Sequence, residues 1–274
     1  MDLSKLIYSK GDSGKTPLIP VPKTTIESNE DIGSSGVLKV SPAYGKIDGI
    51  LSTNLVFVLS GGEKREKDFL RELIKQRELY SLRVAFMSEK GQGLQPYQMQ
   101  ARWHEIQSTG VFKINSQVYH LNTMDKVFLL SDVDEFYEQL KKIFKDASDS
   151  KQGKWIVSNP CFEIWLYYCY LNNPGMNLKC LVSEPIETRS QKLKTLGHAL
   201  VSGGLNPCKA FERMTTGIEN SRKHYSADEN GIPVLFATQM YETAQYLVDT
   251  MNQNADEYSE YVRRKGEWRR MMKK

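Results

Sequence analysis

Four short runs of consecutive apolar residues, most of them followed by a segment of helical spacing, organise the middle of the chain. Residues 55–59 (LVFVL) lie between Asn54 and Ser60-Gly61-Gly62. A run apolar at every position, with no alternation, predicts a strand buried on both faces. Residues 82–87, 126–130 and 155–157 predict three more strands. Between them, Phe69, Leu70, Leu73 and Ile74 repeat at three and four and predict a helix over about 63–77. Gly91-Gln92-Gly93 reads as a loop and 96–107 as a polar helix. Phe136, Leu140, Ile143 and Phe144 form one apolar stripe after the third strand. Ser158-Asn159-Pro160 opens a further helix through Phe162, Trp165 and Leu166, with Ser158 and Asn159 in a capping role. This rhythm predicts an α/β fold with a parallel sheet and right-handed crossovers.

Beyond residue 186 the pattern is helical only, near 188–202, 207–223 and 239–270, with breaks at Gly203-Gly204 and from Asp228 to Pro233. Residues 1–53 hold eight Ser, six Gly and four Pro without sustained periodicity, and read as an irregular arm. The predicted organisation is an arm (1–53), an α/β domain (54–172) and a helical region (173–274) ending in a basic tail. Gly11-Asp12-Ser13-Gly14-Lys15-Thr16 imitates a phosphate-binding loop. It has Ser9 where the first glycine belongs and Pro17 where a helix must start, so ATP binding is rejected.

Charge changes the picture at one end. The net +4 is uneven: residues 263–274 carry seven Lys/Arg against Glu267, leaving the other 262 residues at −2. Arg263, Arg264, Lys265, Arg269 and Arg270 are therefore the candidate contacts to a phosphate backbone, with Trp268 available for stacking. The absence of any long apolar run argues against a membrane span, and the polar amino terminus argues for a cytoplasmic protein. Four cysteines lack CxxC spacing and read as buried thiols, and four scattered histidines suggest no ligand set.

The candidate chemistry lies where ligands of open parallel sheets bind, at the carboxyl ends of the strands. Glu63 and Glu66 follow the first strand, Asp132 and Asp134 end the third, and Glu163 follows the fourth. In extended chain, Asp132 and Asp134 point the same way. Gathered carboxylates repel unless a cation lies between them, and oxygen-only donors suit Mg2+ or Mn2+, the ions of phosphoryl chemistry. The bland alternative is solvated loop acids and favourable charges at helix starts. Lys192 or Lys194 could steady a phosphate.

Asp132-Val133-Asp134 together with Ser158-Asn159-Pro160-Cys161-Phe162-Glu163-Ile164-Trp165-Leu166 resembles the RloB-like family of Toprim-type proteins. Gly62-Glu63-Lys64-Arg65-Glu66 is similar to that family's Gly-Glu-Lys-Thr-Glu segment, and the likeness extends over about 54–250. The resemblance implies a Toprim-like sheet flanked by helices and a metal site of Glu66, Asp132, Asp134 and Glu163. It further implies catalytic roles for Glu63, Glu66, Asp132 and Asp134. Gly61-Gly62 stands where the Toprim signature is Glu-Gly, so the glutamate is missing from its usual place.

Two functions follow as expectations. One is a divalent-metal-dependent nuclease on RNA (such as tRNA) or DNA, the effector of an anti-phage abortive-infection system with an ABC- or AAA-type ATPase partner. The other is a catalytically degenerate Toprim subunit that binds such an ATPase or a phage component. Self-association is compatible with both.

Overall fold

The computed structural model describes residues 53–75, 78–90, 93–114, 117–146 and 152–273. The arm reading, the imitation phosphate loop, the Gly91-Gln92 loop and the end of the first helix at Arg77 lie outside the described residues.

Four parallel strands form the central sheet in the order β2-β1-β5-β6: β1 (Asn54–Ser60), β2 (Leu82–Met87), β5 (Lys126–Asp132) and β6 (Gly153–Ser158). The continuous apolar runs arise because helices cover both faces. Val56, Val58, Val84, Phe128 and Leu130 face one hydrophobic layer, and Phe57, Leu59, Ala85, Val127 and Leu129 face the other. The second layer is closed by α3 (Pro96–Thr109), through Met99, Trp103 and Ile106, and by an antiparallel hairpin of β3 (Val111–Ile114) and β4 (Gln117–His120). The sequence pattern does not predict this hairpin; β4 is mostly exposed and has no apolar face to reveal it.

The predicted helix after β1 is two short pieces, α1 (Arg65–Phe69) and α2 (Arg71–Lys75), meeting at Leu70. The apolar stripe after β5 is α4 (Tyr137–Asp146), preceded by a 3-10 turn at Asp134–Phe136. α5 (Glu163–Tyr170) is buried almost all round. The rest is helical: α6 (Pro174–Asn177), outside the predicted segments; α7 (Ile186–Leu200); α8 (Pro207–Phe211) and α9 (Met214–Lys223), two helices where 207–223 predicted one; and α10 (Met240–Asn252) and α11 (Glu257–Met271), two where 239–270 predicted one. Buried side chains of α5, α8, α9, α10 and α11 share one core with β1, β5 and α1, and Thr53–Lys274 is one compact unit.

Ser158 and Asn159 do not cap α5. Ser158 ends β6 and its hydroxyl pairs with the Thr238 hydroxyl at 2.7 Å, while Asn159 Nδ2 donates to the Pro233 carbonyl at 2.8 Å. The α5 N-cap is Phe162, without a side-chain bond. The two residues instead fasten β6 to residues 233–239, where backbone bonds Asn159 N–Ala237 O and Gln239 N–Val157 O continue the edge.

The strand order places a topological switch between β1 and β5: the chain leaves β1 toward β2, then returns to β1's other side. Crevices at such points, beyond the strand carboxyl ends, are where ligands of open α/β sheets bind.

Candidate active site

At this switch point the end of β1 is bare backbone. The Gly61 amide continues the sheet to the Leu130 carbonyl at 2.8 Å, and the Gly62 amide meets the Ser60 hydroxyl at 3.2 Å. A β-carbon on Gly62 would lie 1.9–2.1 Å from the carboxyl atoms of Glu66. The Glu66 carboxyl, delivered from α1, therefore lies against Gly62, two residues past the end of β1. Here a side chain from the helix supplies the acid that the strand end lacks. Gly93 closes in from the other side: its φ is +73° and a β-carbon there would strike the Gly61 carbonyl.

Asp132 and Asp134 do reach one place, but not by strand alternation. β5 ends at Asp132 and the chain turns at once, with Val133 N bonded to Ser158 O at 2.9 Å and Asp134 N to Pro160 O at 3.1 Å. Asp134 takes a φ of +24°, in the left-handed region that Asp tolerates better than most residues. The Ser190 hydroxyl, from α7, donates to its Oδ1. Glu163, at the first position of α5, is buried at 2% exposure, and its Oε1 faces both Arg65 Nε at 3.4 Å and Lys194 Nζ at 3.7 Å.

The electrostatics bind these groups into one cluster. Burial pushes Glu66 up to about 7, against the pull of its own backbone amide; Glu163 raises it further, while Lys194 and Arg65 oppose. Asp132 stands well above the usual carboxylate range through burial and then through Glu66, Glu163 and Asp134. Asp134 is raised by burial and restrained by Ser190 and Lys194. Burial works against the charge of Lys194, but Glu163, Cys161, Asp132 and Asp134 together hold its pKa above the ordinary value. Cys161 is fully buried beneath, its thiol raised by burial and by Glu163 and Asp132.

The structure thus gathers Glu66, Asp132, Asp134 and Glu163. Glu63 stands exposed on the turn before α1. The donors are oxygen-only and mutually repelling, the chemistry a hard divalent cation relieves. Among the described residues no three His, Cys, Asp or Glu side chains converge as a preformed ligand group.

The choice left open between two lysines is decided by helix phase. Lys192 pairs with Glu184, whereas Lys194 lies one turn beyond Ser190 and reaches the acids. Ser190 carries no signature by itself, and the pairing of Arg65 with Glu163 depends on the tertiary fold.

The basic residues of α11 lie elsewhere and face acids of the same chain. Arg263 pairs with Glu260 and Glu267, Arg264 with Glu260, Lys265 with Glu78 and Arg269 with Glu212. Arg270 makes no ion pair among the described residues. A cleft of about 700 Å³ lies at the opposite ends of β5 and β6, around Lys126, Trp103 and Trp155. Its one carboxylate, Glu242, pairs with Lys154, so the cleft lacks a charge cluster.

Fold and geometry together define an α/β protein with a carboxylate cluster at the switch point of a parallel sheet. The family model described as RloB-like protein matches residues 56–257, and the chain belongs to that family. The matched span contains the whole cluster and ends before Arg263. No curated protein and no solved structure matches. Among the described residues no helix is long and apolar enough to cross a membrane.

Proposed function

We propose that the chain is a divalent-metal-dependent phosphodiesterase acting on nucleic acid, the cytoplasmic effector of an anti-phage abortive-infection system whose ATPase partner controls it. The observation that carries this reading is the delivery of the Glu66 carboxyl to the bare end of β1, beside Asp132. Glu66, Asp132, Asp134 and Glu163 would hold Mg2+ or Mn2+. The bound cation supplies charge neutralisation at the phosphate and a more acidic water. In hydrolysis a water oxygen bonds to phosphorus as one ester bond breaks. Glu66, through a carboxylate oxygen not engaged by the cation, would take the water's proton, and the departing oxygen collects one from solvent. Lys194, half-exposed above the acids, meets the non-bridging oxygens.

Manganese and magnesium titrations by calorimetry on the wild type and on Asp132→Ala/Asp134→Ala test the reading, followed by cleavage assays on tRNA and DNA. Binding that disappears in the double variant supports it. Absent binding in the wild type, with or without oligonucleotide, overturns it. A second reading, a degenerate subunit that binds an ATPase or phage component, draws on Gly61 and on the existing pairing of Glu163 with Arg65 and Lys194.

A further inference from the structure

A second concavity opens beside the cluster. It has a volume of about 160 Å³, and Asp134 belongs to both. Its walls are apolar and flat: Val133, Pro160, the Tyr137 ring and Ile186. The Tyr137 hydroxyl donates to Asp228 Oδ2 at 2.5 Å and accepts from Asn230 Nδ2 at 3.1 Å, so the ring is fixed in place. Ile186, the first residue of α7, is 50% exposed at the rim.

Two polar groups complete the lining, and each has capacity left. Arg189 is anchored by Nη2 on the Glu184 carbonyl at 2.7 Å, and its Nη1 meets no acceptor among the described residues and stays open to solvent. Asn159 gives its Nδ2 to Pro233, which leaves Oδ1 as an acceptor. An aromatic and aliphatic slot with one donor and one acceptor is the chemistry that recognises an unstacked base by its face and edge. The same helix builds both sites: Ile186 and Arg189 shape the slot, and one turn apart Ser190 holds Asp134 and Lys194 reaches the acids.

We propose that this slot receives a nucleobase of the strand whose phosphodiester lies at the carboxylate cluster. The proposal rests on the phosphodiesterase reading for the identity of the strand. It implies a single-stranded or splayed substrate, because a base held in its pair and stack cannot turn its face into the slot.

The test uses nucleosides, which carry no phosphate, in buffer free of divalent metal. Saturation-transfer NMR is recorded with adenosine, guanosine, cytidine and uridine on the full chain, on Arg189→Met and on Ile186→Trp. Transfer to base protons in the wild type is expected, with affinity about tenfold weaker in Arg189→Met and lost in Ile186→Trp. Melting temperatures and circular dichroism of the variants check that both fold; position 186 is exposed and tolerates the larger ring. No transfer in the wild type, or transfer indifferent to both substitutions, overturns the slot. Manganese binding measured alongside separates the two readings. Metal bound without nucleoside sinks the slot alone, and nucleoside bound without metal sinks the phosphodiesterase and leaves a base-binding site.

Discussion

Two concentrations of charge in this chain are handled in opposite ways. At the carboxyl ends of β1 and β5, four carboxylates crowd around Lys194 and Arg65, and Glu66, Asp132 and Asp134 are all raised above their ordinary pKa. On α11 Arg263, Arg264 and Arg270 are exposed and Lys265 and Arg269 half-buried, and four of these five sit against acids of their own chain. The first arrangement keeps an imbalance that folding does not relieve. The second cancels nearly all of its imbalance locally. An excess of like charge maintained in a crevice is a cost to the fold, and such costs gather at functional sites. A basic helix with paired charges has little left to offer a ligand.

The largest expected effect comes from breaking the acidic side. Asp132→Asn or Glu66→Gln removes a charge without changing shape, and each is expected to lower metal-dependent cleavage by at least about a hundredfold. Single-turnover cleavage of an oligonucleotide checks this. Activity within about threefold of wild type in Glu66→Gln would remove the proton-acceptor role.

The same residue predicts a pH dependence of stability. Glu66 has an ordinary value of 4.5 and stands near 7 in the folded chain. Its raised value means that the folded form favours the proton. The associated stability is complete below about 4.5 and is lost as pH rises through 7. Chemical denaturation without divalent metal is expected to show the wild type losing on the order of 3 kcal/mol across that window, and Glu66→Gln losing less. Because metal and proton compete for the same oxygens, metal affinity should rise over the same range.

Gly62→Ala sharpens the argument at a smaller scale. Its new methyl would meet the end of a flexible side chain, so the Glu66 carboxyl has to swing away. Metal affinity is expected to fall about tenfold with little loss of melting temperature, as read by calorimetry and thermal unfolding. Unchanged affinity would mean that the carboxyl need not rest on the end of β1.

How much of this was legible follows from where each signal is written. The four central strands could be read because burial on both faces demands an unbroken apolar run, and the rim of acids followed from the strand ends. The β3–β4 hairpin could not be, since its short strands are half-exposed and Val118 points outward. The pairing of Asp132 with Asp134 was anticipated for a reason that does not hold: a turn, not strand alternation, brings them together. Lys194 could not be separated from Lys192 without the phase of α7. The place of Glu66 depends on a glycine three residues before the helix that carries it, and no spacing rule records the volume that Gly62 leaves to the carboxyl.

The smallest effect is expected on the basic side, where a null result is informative. Contact between Arg263 and a phosphate would first have to break its bonds to Glu260 and Glu267, both of them exposed pairs of small net value. Arg269 is held more firmly, by two bonds to a Glu212 side chain only 9% exposed. Arg270 has no such competitor among the described residues. In a salt titration of single-stranded oligonucleotide binding, Arg270→Gln is therefore expected to reduce the logarithmic slope by up to about 0.7. Arg263→Gln and Arg269→Gln should change it by less, because the counterion released by a phosphate contact is offset by the internal pair that opens. Equal reductions from all three would mean that α11 exchanges its own acids for phosphate freely, and the contrast between the two charged regions would fail on that side.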